Sequence, residues 1–173
     1  MLASRKVRQR QIGSFEDTLP DSIHPFIRRI LLARDITDEE SLDLKLGRLQ
    51  PPTSLSGVGE AAEILADAVV TGESILVVGD FDADGATGTA LAVRTLHLMG
   101  AANVDFRVPN RFEFGYGLSV GLVETLAENP PHVLVTVDSG ISSNDGVSRA
   151  RELGCKVIVT DHHLPGEKLP EAK

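Results

Sequence analysis

Acidic side chains and histidines follow short apolar runs at three places in the chain. Carboxylates held close together repel one another, and a hard divalent cation neutralises them most simply. Histidine among the carboxylates favours manganese, iron or zinc over magnesium. Two such cations would activate a water and hold a phosphoryl oxygen, which predicts hydrolysis of a phosphate ester or anhydride. The three groups are Asp80, Asp82 and Asp84, then Asp138, then Asp161, His162 and His163.

The elements around these groups predict an α/β fold. From residue 75 onward, short β-branched runs alternate with helical patterns, which is typical of a parallel sheet with right-handed crossovers and helices on both faces. The carboxyl ends of such strands lie at one edge, where ligands bind, so we expect the three groups to converge. The predicted strands are 75–79, 104–108, 133–137 and 157–160, and the predicted helices are 57–70, 86–99, 120–127 and 144–153.

The first part of the chain predicts a small helical N-terminal segment outside the sheet. Apolar residues recur at helical spacing over 20–33, and Thr37 followed by Glu40 is a capping-box pattern that predicts a second, short helix. A Pro-Pro pair then indicates a linker. No helical pattern follows the fourth strand to cover it, so we expect more protein after it. The predicted division is a helical segment and linker at 1–52 and an α/β domain at 53–173, truncated at its C-terminal end.

Composition sets broad limits on the class of protein. The chain has 173 residues, 42% of them hydrophobic, which is room for about one domain. Its net charge of −8 disfavours nucleic acid, but bound cations would offset the clustered acids. Basic residues also cluster at Arg5, Lys6, Arg8 and Arg10, as in a solvated tail. A single cysteine, Cys155, and the absence of a signal peptide or membrane-length apolar run predict a cytoplasmic protein.

The acidic groups also have competing interpretations. The first one fits the opening positions of a calcium-binding EF-hand loop, but Leu91 stands where that loop needs glutamate, and a strand precedes it. It is also similar to the nucleophile loop of haloacid-dehalogenase phosphatases, in which a strand-end Asp-His-His has no role. Asp138 alone could cap the helix that follows it. Asp161 could cap a helix or orient a neighbouring histidine instead of binding a metal.

Two loops near the same edge are candidates for contact with a substrate. The small residues at 85–89 could offer backbone N–H groups to a phosphate, or merely let the helix approach the strand. In the loop after the second strand, Arg111 could hold a phosphate and Tyr116 could stack on a base. The alternative for this loop is an ordinary connection whose aromatic side chains pack on the rim.

Together these motifs resemble the DHH phosphoesterase family, which takes its name from the triplet at 161–163. Within that family, the resemblance is to the bacterial single-strand exonucleases, and it runs from about Pro20 to the end of the chain. Ser139 departs mildly from the Asn or Cys of many relatives. The resemblance rests on GDFDADGAT at 79–87, VPNRFEFGYGL at 108–118, TVDSGISS at 136–143 and VTDHHLPG at 159–166.

The resemblance implies a 5′-to-3′ exonuclease that hydrolyses single-stranded DNA in recombination and repair, with Mn²⁺ or Mg²⁺ at a two-metal site. It implies single-stranded DNA as a partner, together with single-strand-binding protein and repair helicases. The family's fourth motif, with another metal-binding aspartate, lies beyond the fourth strand. We therefore expect the chain alone to hold an incomplete site and to be weak or inactive.

The resemblance also implies roles for individual residues. The implied metal ligands are Asp80, Asp82, Asp84, Asp138, His162 and His163, of which the last three are also implied to be catalytic. Asp161 would support these ligands without binding the metal itself. The implied substrate contacts are Arg111, Tyr116, Ser139 and Gly140. Two alternatives remain open. One is a DHH enzyme acting on short oligonucleotides, cyclic dinucleotides or pyrophosphate, and the other is a non-catalytic fragment that binds metal or nucleic acid only.

Overall fold

The computed structural model describes residues 11–13 and 16–173. The chain divides into two compact units, Met1–Ser54 and Leu55–Lys173. The basic cluster at residues 5–10 lies outside the described residues. Within the described part of the chain, no helix is both long enough and apolar enough to cross a membrane.

The first unit contains one helix, α1 (Pro25–Leu32), among its described residues. The helix begins at a proline, which suits the first helical position, and the His24 ring accepts a hydrogen bond from the Phe26 N–H. Arg28 fastens it to the preceding segment through an ion pair of 2.7 Å with Asp17 and through the carbonyls of Pro20 and Leu19. The unit continues with three 3₁₀ turns, Glu40–Leu42, Leu46–Arg48 and Pro52–Ser54.

The helix predicted to begin at Thr37 is wrong. The Asp38 side chain accepts a hydrogen bond of 2.7 Å from the Ser41 N–H and opens a single 3₁₀ turn instead. The leucines near the end of the predicted helix, Leu44 and Leu46, are both exposed. Short helices are stabilised mainly by burying an apolar face, and this stretch buries too little apolar surface to sustain a helix.

The second unit is built on a four-stranded parallel sheet, which confirms the predicted α/β fold. Its strands are β1 (Ile75–Gly79), β2 (Val104–Arg107), β3 (Val133–Val137) and β4 (Lys156–Thr160), in the spatial order β2-β1-β3-β4. From β1 the chain crosses to β2 on one side of the sheet, and from β3 it crosses to β4 on the other side. Parallel sheets bind ligands at such a switch point, beyond the carboxyl ends of the two central strands.

Helices cover both faces of the sheet. They are α2 (Val58–Thr71), α3 (Ala83–Leu98), α4 (Arg111–Phe114), α5 (Val120–Glu124) and α6 (Asn144–Glu152). Because successive strand residues point to opposite faces, Ile75 and Val77 pack in one core cluster with residues of α2 and α3. Leu76 and Val78 pack in the other cluster with residues of α5 and α6. The four-residue α4 was not predicted from the sequence.

The residues after β4 return to the sheet. Ala172 packs against the second core cluster. Lys173 donates a backbone hydrogen bond to the Val157 carbonyl and accepts one from the Val159 N–H. The outer edge of β4 is therefore partly covered by the residues that follow it.

Small residues let α3 approach the ends of β1 and β3 closely. A Cβ atom added at Gly85 would lie 2.7 Å from the Asp80 carbonyl oxygen, and one at Gly88 would lie 2.8 Å from a methyl of Val137. Of the two interpretations of residues 85–89, the geometry favours close packing of the helix on the strand.

This packing predicts that Gly85→Ala destabilises the second unit by about 1–3 kcal/mol, because the backbone of Asp80 cannot move aside for the added methyl group. Gly59→Ala in α2 is the matched control, since nothing lies within 4 Å of its added Cβ. The control should be neutral or stabilising by up to about 1 kcal/mol through helix propensity. Urea unfolding measures both, and equal stability of Gly85→Ala and wild type would contradict the packing account.

Candidate metal centre

The acidic groups predicted from the sequence converge at the carboxyl edge of the sheet. Asp80 directly follows β1 and Asp138 directly follows β3, so both lie at the switch point. Each residue is only 8% exposed. The triplet at 161–163 directly follows β4, the neighbour of β3. The sheet topology therefore brings together residues that are up to 83 positions apart in sequence.

Asp138 has an unusual backbone conformation. Its φ of +61° lies in the left-handed region, which non-glycine residues adopt mainly where the surroundings impose it. The Asp138 N–H donates to the Thr160 carbonyl at 2.9 Å, and the Tyr116 hydroxyl donates to the Asp138 carbonyl at 3.2 Å. These bonds hold the backbone of Asp138 in this conformation.

That carboxylate is buried, yet neither of its oxygens accepts a hydrogen bond from the described part of the chain. His162 Nε2 lies 2.8 Å from Asp138 Oδ1, but the two groups are not aligned as donor and acceptor. A buried carboxylate without a partner is costly. Ligand atoms that approach without bonding to one another are typical of a site that a cation would occupy.

Among the described residues, two groups of three side chains have ligand atoms within 4.8 Å of one another. Both groups contain Asp138. A carboxylate shared by two ligand sets is the arrangement that binds a pair of divalent cations, so these residues fit the expected metals. The groups are Asp80, Asp82 and Asp138, and Asp138, His162 and His163.

Asp84 belongs to neither group, because α3 begins at Ala83 instead of residue 86 as predicted. The Asp82 side chain caps this helix by accepting a bond of 3.3 Å from the Gly85 N–H. Asp84 consequently lies in the first helical turn, with Oδ2 3.7 Å from His162 Nε2. It remains near the site without joining either ligand set.

The carboxylates around α3 influence one another's ionisation. The Gly85 N–H acts to lower the pKa of Asp82, but desolvation and the carboxylates of Asp84 and Asp80 outweigh it and raise that pKa. The pKa of Asp84 is lowered, first by its own backbone N–H and then by a hydrogen bond with Asp82. A bound cation would relieve this repulsion.

Asp161 is positioned to orient its neighbours. Its side chain is 1% exposed, and Oδ1 accepts hydrogen bonds from the backbone N–H of His163 at 3.0 Å and from His163 Nδ1 at 2.7 Å. Oδ2 accepts from the Ile141 N–H at 2.9 Å. Burial acts to raise the pKa of Asp161, but these donors outweigh it and lower the pKa. Since Nδ1 donates to Asp161, Nε2 of His163 is the ring nitrogen with a lone pair for a metal, and it lies 3.4 Å from the Tyr116 hydroxyl.

Arg111 and Tyr116 lie beside the ligand groups. Arg111 Nη2 donates to both oxygens of Asp80, at 3.1 and 3.0 Å. The guanidinium also stacks on Phe81, with its carbon 3.9 Å from the ring centroid. Burial, followed by the charges of nearby aspartates, raises the pKa of Tyr116 to about 12, which keeps its hydroxyl protonated. Phe81 was missed by sequence reasoning, because an aromatic residue between two acids carries no recognised spacing signal.

Ser139 and Gly140 form a buried turn beside Asp138. The Ser139 carbonyl accepts a hydrogen bond of 2.7 Å from Thr136 Oγ1. Gly140 has a φ of +111°, and a Cβ there would lie 2.6 Å from the same hydroxyl. Only glycine fits this turn without strain.

A parallel α/β domain with carboxylates and histidines at its switch point defines a candidate metal-dependent hydrolase domain. The model of the "DHH family, N-terminal domain" matches residues 74–173, and the chain belongs to the DHH family. The resemblance inferred from the sequence is therefore confirmed.

The chain is similar to the single-stranded-DNA-specific exonuclease RecJ of Escherichia coli (strain K12), with 47% identity over 168 residues that cover 97% of this chain and 29% of the relative. It is also similar to a crystal structure of exonuclease RecJ bound to manganese, with a TM-score of 0.63 and 43% identity over 68% of this chain and 30% of that chain. The manganese complex of RecJ from Thermus thermophilus gives a TM-score of 0.61 and 37% identity over 82% of this chain and 19% of that one. The chain thus spans less than a third of the length of these relatives.

The unpartnered carboxylate predicts that Asp138→Asn stabilises the metal-free protein by about 1 kcal/mol, because a neutral amide is less costly to bury than a charge. Asparagine also tolerates the left-handed backbone. Asp35→Asn is the matched control, because Asp35 has a φ of +62° but is not buried. Urea unfolding at about pH 8 with a chelator measures the difference. A loss of stability in Asp138→Asn alone would contradict this account.

Proposed function

We propose that this chain carries the metal-binding part of a 5′-to-3′ exonuclease that hydrolyses single-stranded DNA in recombination and repair. The observation that carries the proposal is the buried carboxylate of Asp138, which has no hydrogen-bond partner among the described residues and belongs to both ligand groups. Membership of the DHH family and the names of the relatives support the substrate. The structural division after Ser54 supports a helical N-terminal segment followed by the phosphoesterase domain.

The proposed cofactors are two Mn²⁺ or Mg²⁺ ions. Asp80 and Asp82 would hold one ion, His162 and His163 the other, and Asp138 both. Mixed oxygen and nitrogen donors favour Mn²⁺. Bound there, the ions would lower the pKa of a water and neutralise the oxygens of the phosphate under attack.

The surrounding residues would prepare this site for the reaction. Asp161 holds the His163 ring by a bond of 2.7 Å, and Tyr116 holds the backbone of Asp138. Arg111 is a planar donor suited to a phosphate of the strand. For Ser139 and Gly140, contact with the same strand is proposed through the family resemblance alone, since both residues are buried.

The proposed partners are single-stranded DNA and, through the family resemblance alone, single-strand-binding protein and repair helicases. The proposed compartment is the cytoplasm, in keeping with a lone, buried cysteine, Cys155.

The exonuclease proposal is tested by a DNA digestion assay. The protein encoded by the full reading frame that contains this chain is incubated with Mn²⁺ and with DNA labelled at one end. We expect stepwise loss of single-stranded but not double-stranded DNA from its 5′ end. Asp138→Asn should reduce the rate about 100-fold or more, since it removes the shared ligand. Asp35→Asn, in the same frame, should retain wild-type activity.

Two other results would replace the exonuclease proposal with a different function. Turnover of cyclic dinucleotides or pyrophosphate without loss of DNA would assign a different DHH activity to the same site. Metal-dependent DNA binding with no hydrolysis of any of these substrates would assign a binding role.

The Asp161–His163 pair predicts how Mn²⁺ binding depends on pH. The hydrogen bond to Asp161 raises the pKa of His163 above 6.5, and only the neutral ring binds metal. Mn²⁺ affinity should therefore fall as the pH drops through a value above 6.5. Asp161→Asn removes the charge that raises this pKa, so the fall should move to lower pH.

Calorimetric titration of the 173-residue chain with Mn²⁺ at a series of pH values makes this measurement. Asp145→Asn, a change in the first turn of α6, is the control. An unchanged pH profile in Asp161→Asn would show that Asp161 does not set the protonation of the metal-binding histidine.

A further inference from the structure

Arg111 contacts both carboxylate oxygens of Asp80, the atoms that would bind a cation. Its Nη2 is 3.0 Å from Asp80 Oδ2 and 3.1 Å from Oδ1. Oδ1 also accepts a hydrogen bond of 2.9 Å from the Phe81 N–H. Both oxygens of a proposed metal ligand are therefore already engaged by one guanidinium, and a divalent cation at Asp80 would be repelled by it.

We propose that Arg111 is a placeholder counter-ion, which a divalent cation displaces from Asp80 and which is thereby freed to hold a phosphate group of the substrate. This inference rests on the proposed function, because it takes the metal site and the phosphodiester substrate from it. It adds that the metal and the phosphate do not bind independently.

The surroundings of Arg111 suit such an exchange. Its side chain is 44% exposed, whereas that of Asp80 is 10% exposed. The pair with Asp80 uses only Nη2, so Nε and Nη1 are not engaged by that carboxylate. The guanidinium lies on the Phe81 ring, with its carbon 5.2 Å from the centroid of Tyr116. A planar cation can turn while staying stacked on an aromatic face, so releasing Asp80 need not release Phe81.

Asp80 and Asp138 differ in a way that supports the exchange. In the described part of the chain, the Asp138 oxygens have no hydrogen-bond partner, whereas the Asp80 oxygens have Arg111. The two carboxylates belong to one ligand group, so one is ready for a cation and the other is occupied. If the cation must compete with Arg111, a phosphate that draws Arg111 away strengthens metal binding, and the metal strengthens phosphate binding equally.

The test is a Mn²⁺ titration of the 173-residue chain, followed by calorimetry and by the electron paramagnetic resonance of free Mn²⁺. Arg111→Gln should bind Mn²⁺ about fivefold more tightly than wild type, because the competing charge is gone. Arg111→Lys keeps the charge without the planar fork, so its affinity should lie between the two. Phe112→Ala is the control, since the neighbouring Phe112 side chain is fully exposed and should not affect Mn²⁺.

A second arm measures binding of labelled oligothymidylate to the chain at saturating Mn²⁺, over times too short for cleavage. Arg111→Gln should bind it about tenfold more weakly than wild type. Tighter metal binding together with weaker DNA binding is the expected signature. A merely structural Arg111 would lower both affinities when removed.

Mn²⁺ binding by Arg111→Gln that is equal to or weaker than that of wild type, with Arg111→Lys behaving likewise, overturns the exchange. Asp138→Asn separates this failure from failure of the proposed function. If neither the wild-type chain nor the protein encoded by its full reading frame binds Mn²⁺, or if Asp138→Asn binds it equally well, the metal site itself is wrong. If binding requires Asp138 but is indifferent to Arg111, only the exchange is wrong.

Discussion

The buried carboxylate of Asp138 is the constraint on which the rest of the site depends. Two oxygens without a hydrogen-bond partner in the described chain are held at the switch point of a parallel sheet, where both central strands end. The backbone around Asp138 is held in the left-handed region by Thr160 and Tyr116. A fold that keeps such a charge in place without neutralising it is less stable than it could be, which is common at functional sites.

The three carboxylates that follow β1, β3 and β4 differ in their hydrogen-bond partners. Asp138 is left without a donor, Asp80 is paired with Arg111, and Asp161 is saturated by three N–H groups. The same residue type thus supplies a shared ligand, a ligand with an exchangeable counter-ion, and a support for His163. These differences follow from which strand each acid terminates and from what the neighbouring loop brings to it.

The strands and the convergence of the acids could be predicted because β-branched runs ending at glycine or aspartate mark β1 and β3, and parallel topology fixes a common edge. The helix at Thr37 was wrong because local capping signals say nothing about burial. Asp82 was predicted as a ligand, but its residue type does not show that its side chain also caps α3. The early start of α3 places Asp84 in the helix, where it belongs to neither ligand group. The pairing of Arg111 with Asp80 joins residues 31 positions apart in sequence, and no spacing pattern predicts it.

The central claim is that Asp138 is shared by two cations, and a crystal structure of the Mn²⁺-soaked protein encoded by the full reading frame tests it most directly through anomalous scattering at the manganese edge. We predict two manganese peaks, one on each side of the Asp138 carboxylate, with Asp80 and Asp82 around one peak and His162 and His163 around the other. A single peak that does not contact Asp138, or no peak with the Asp138 carboxylate still unpartnered, would contradict it.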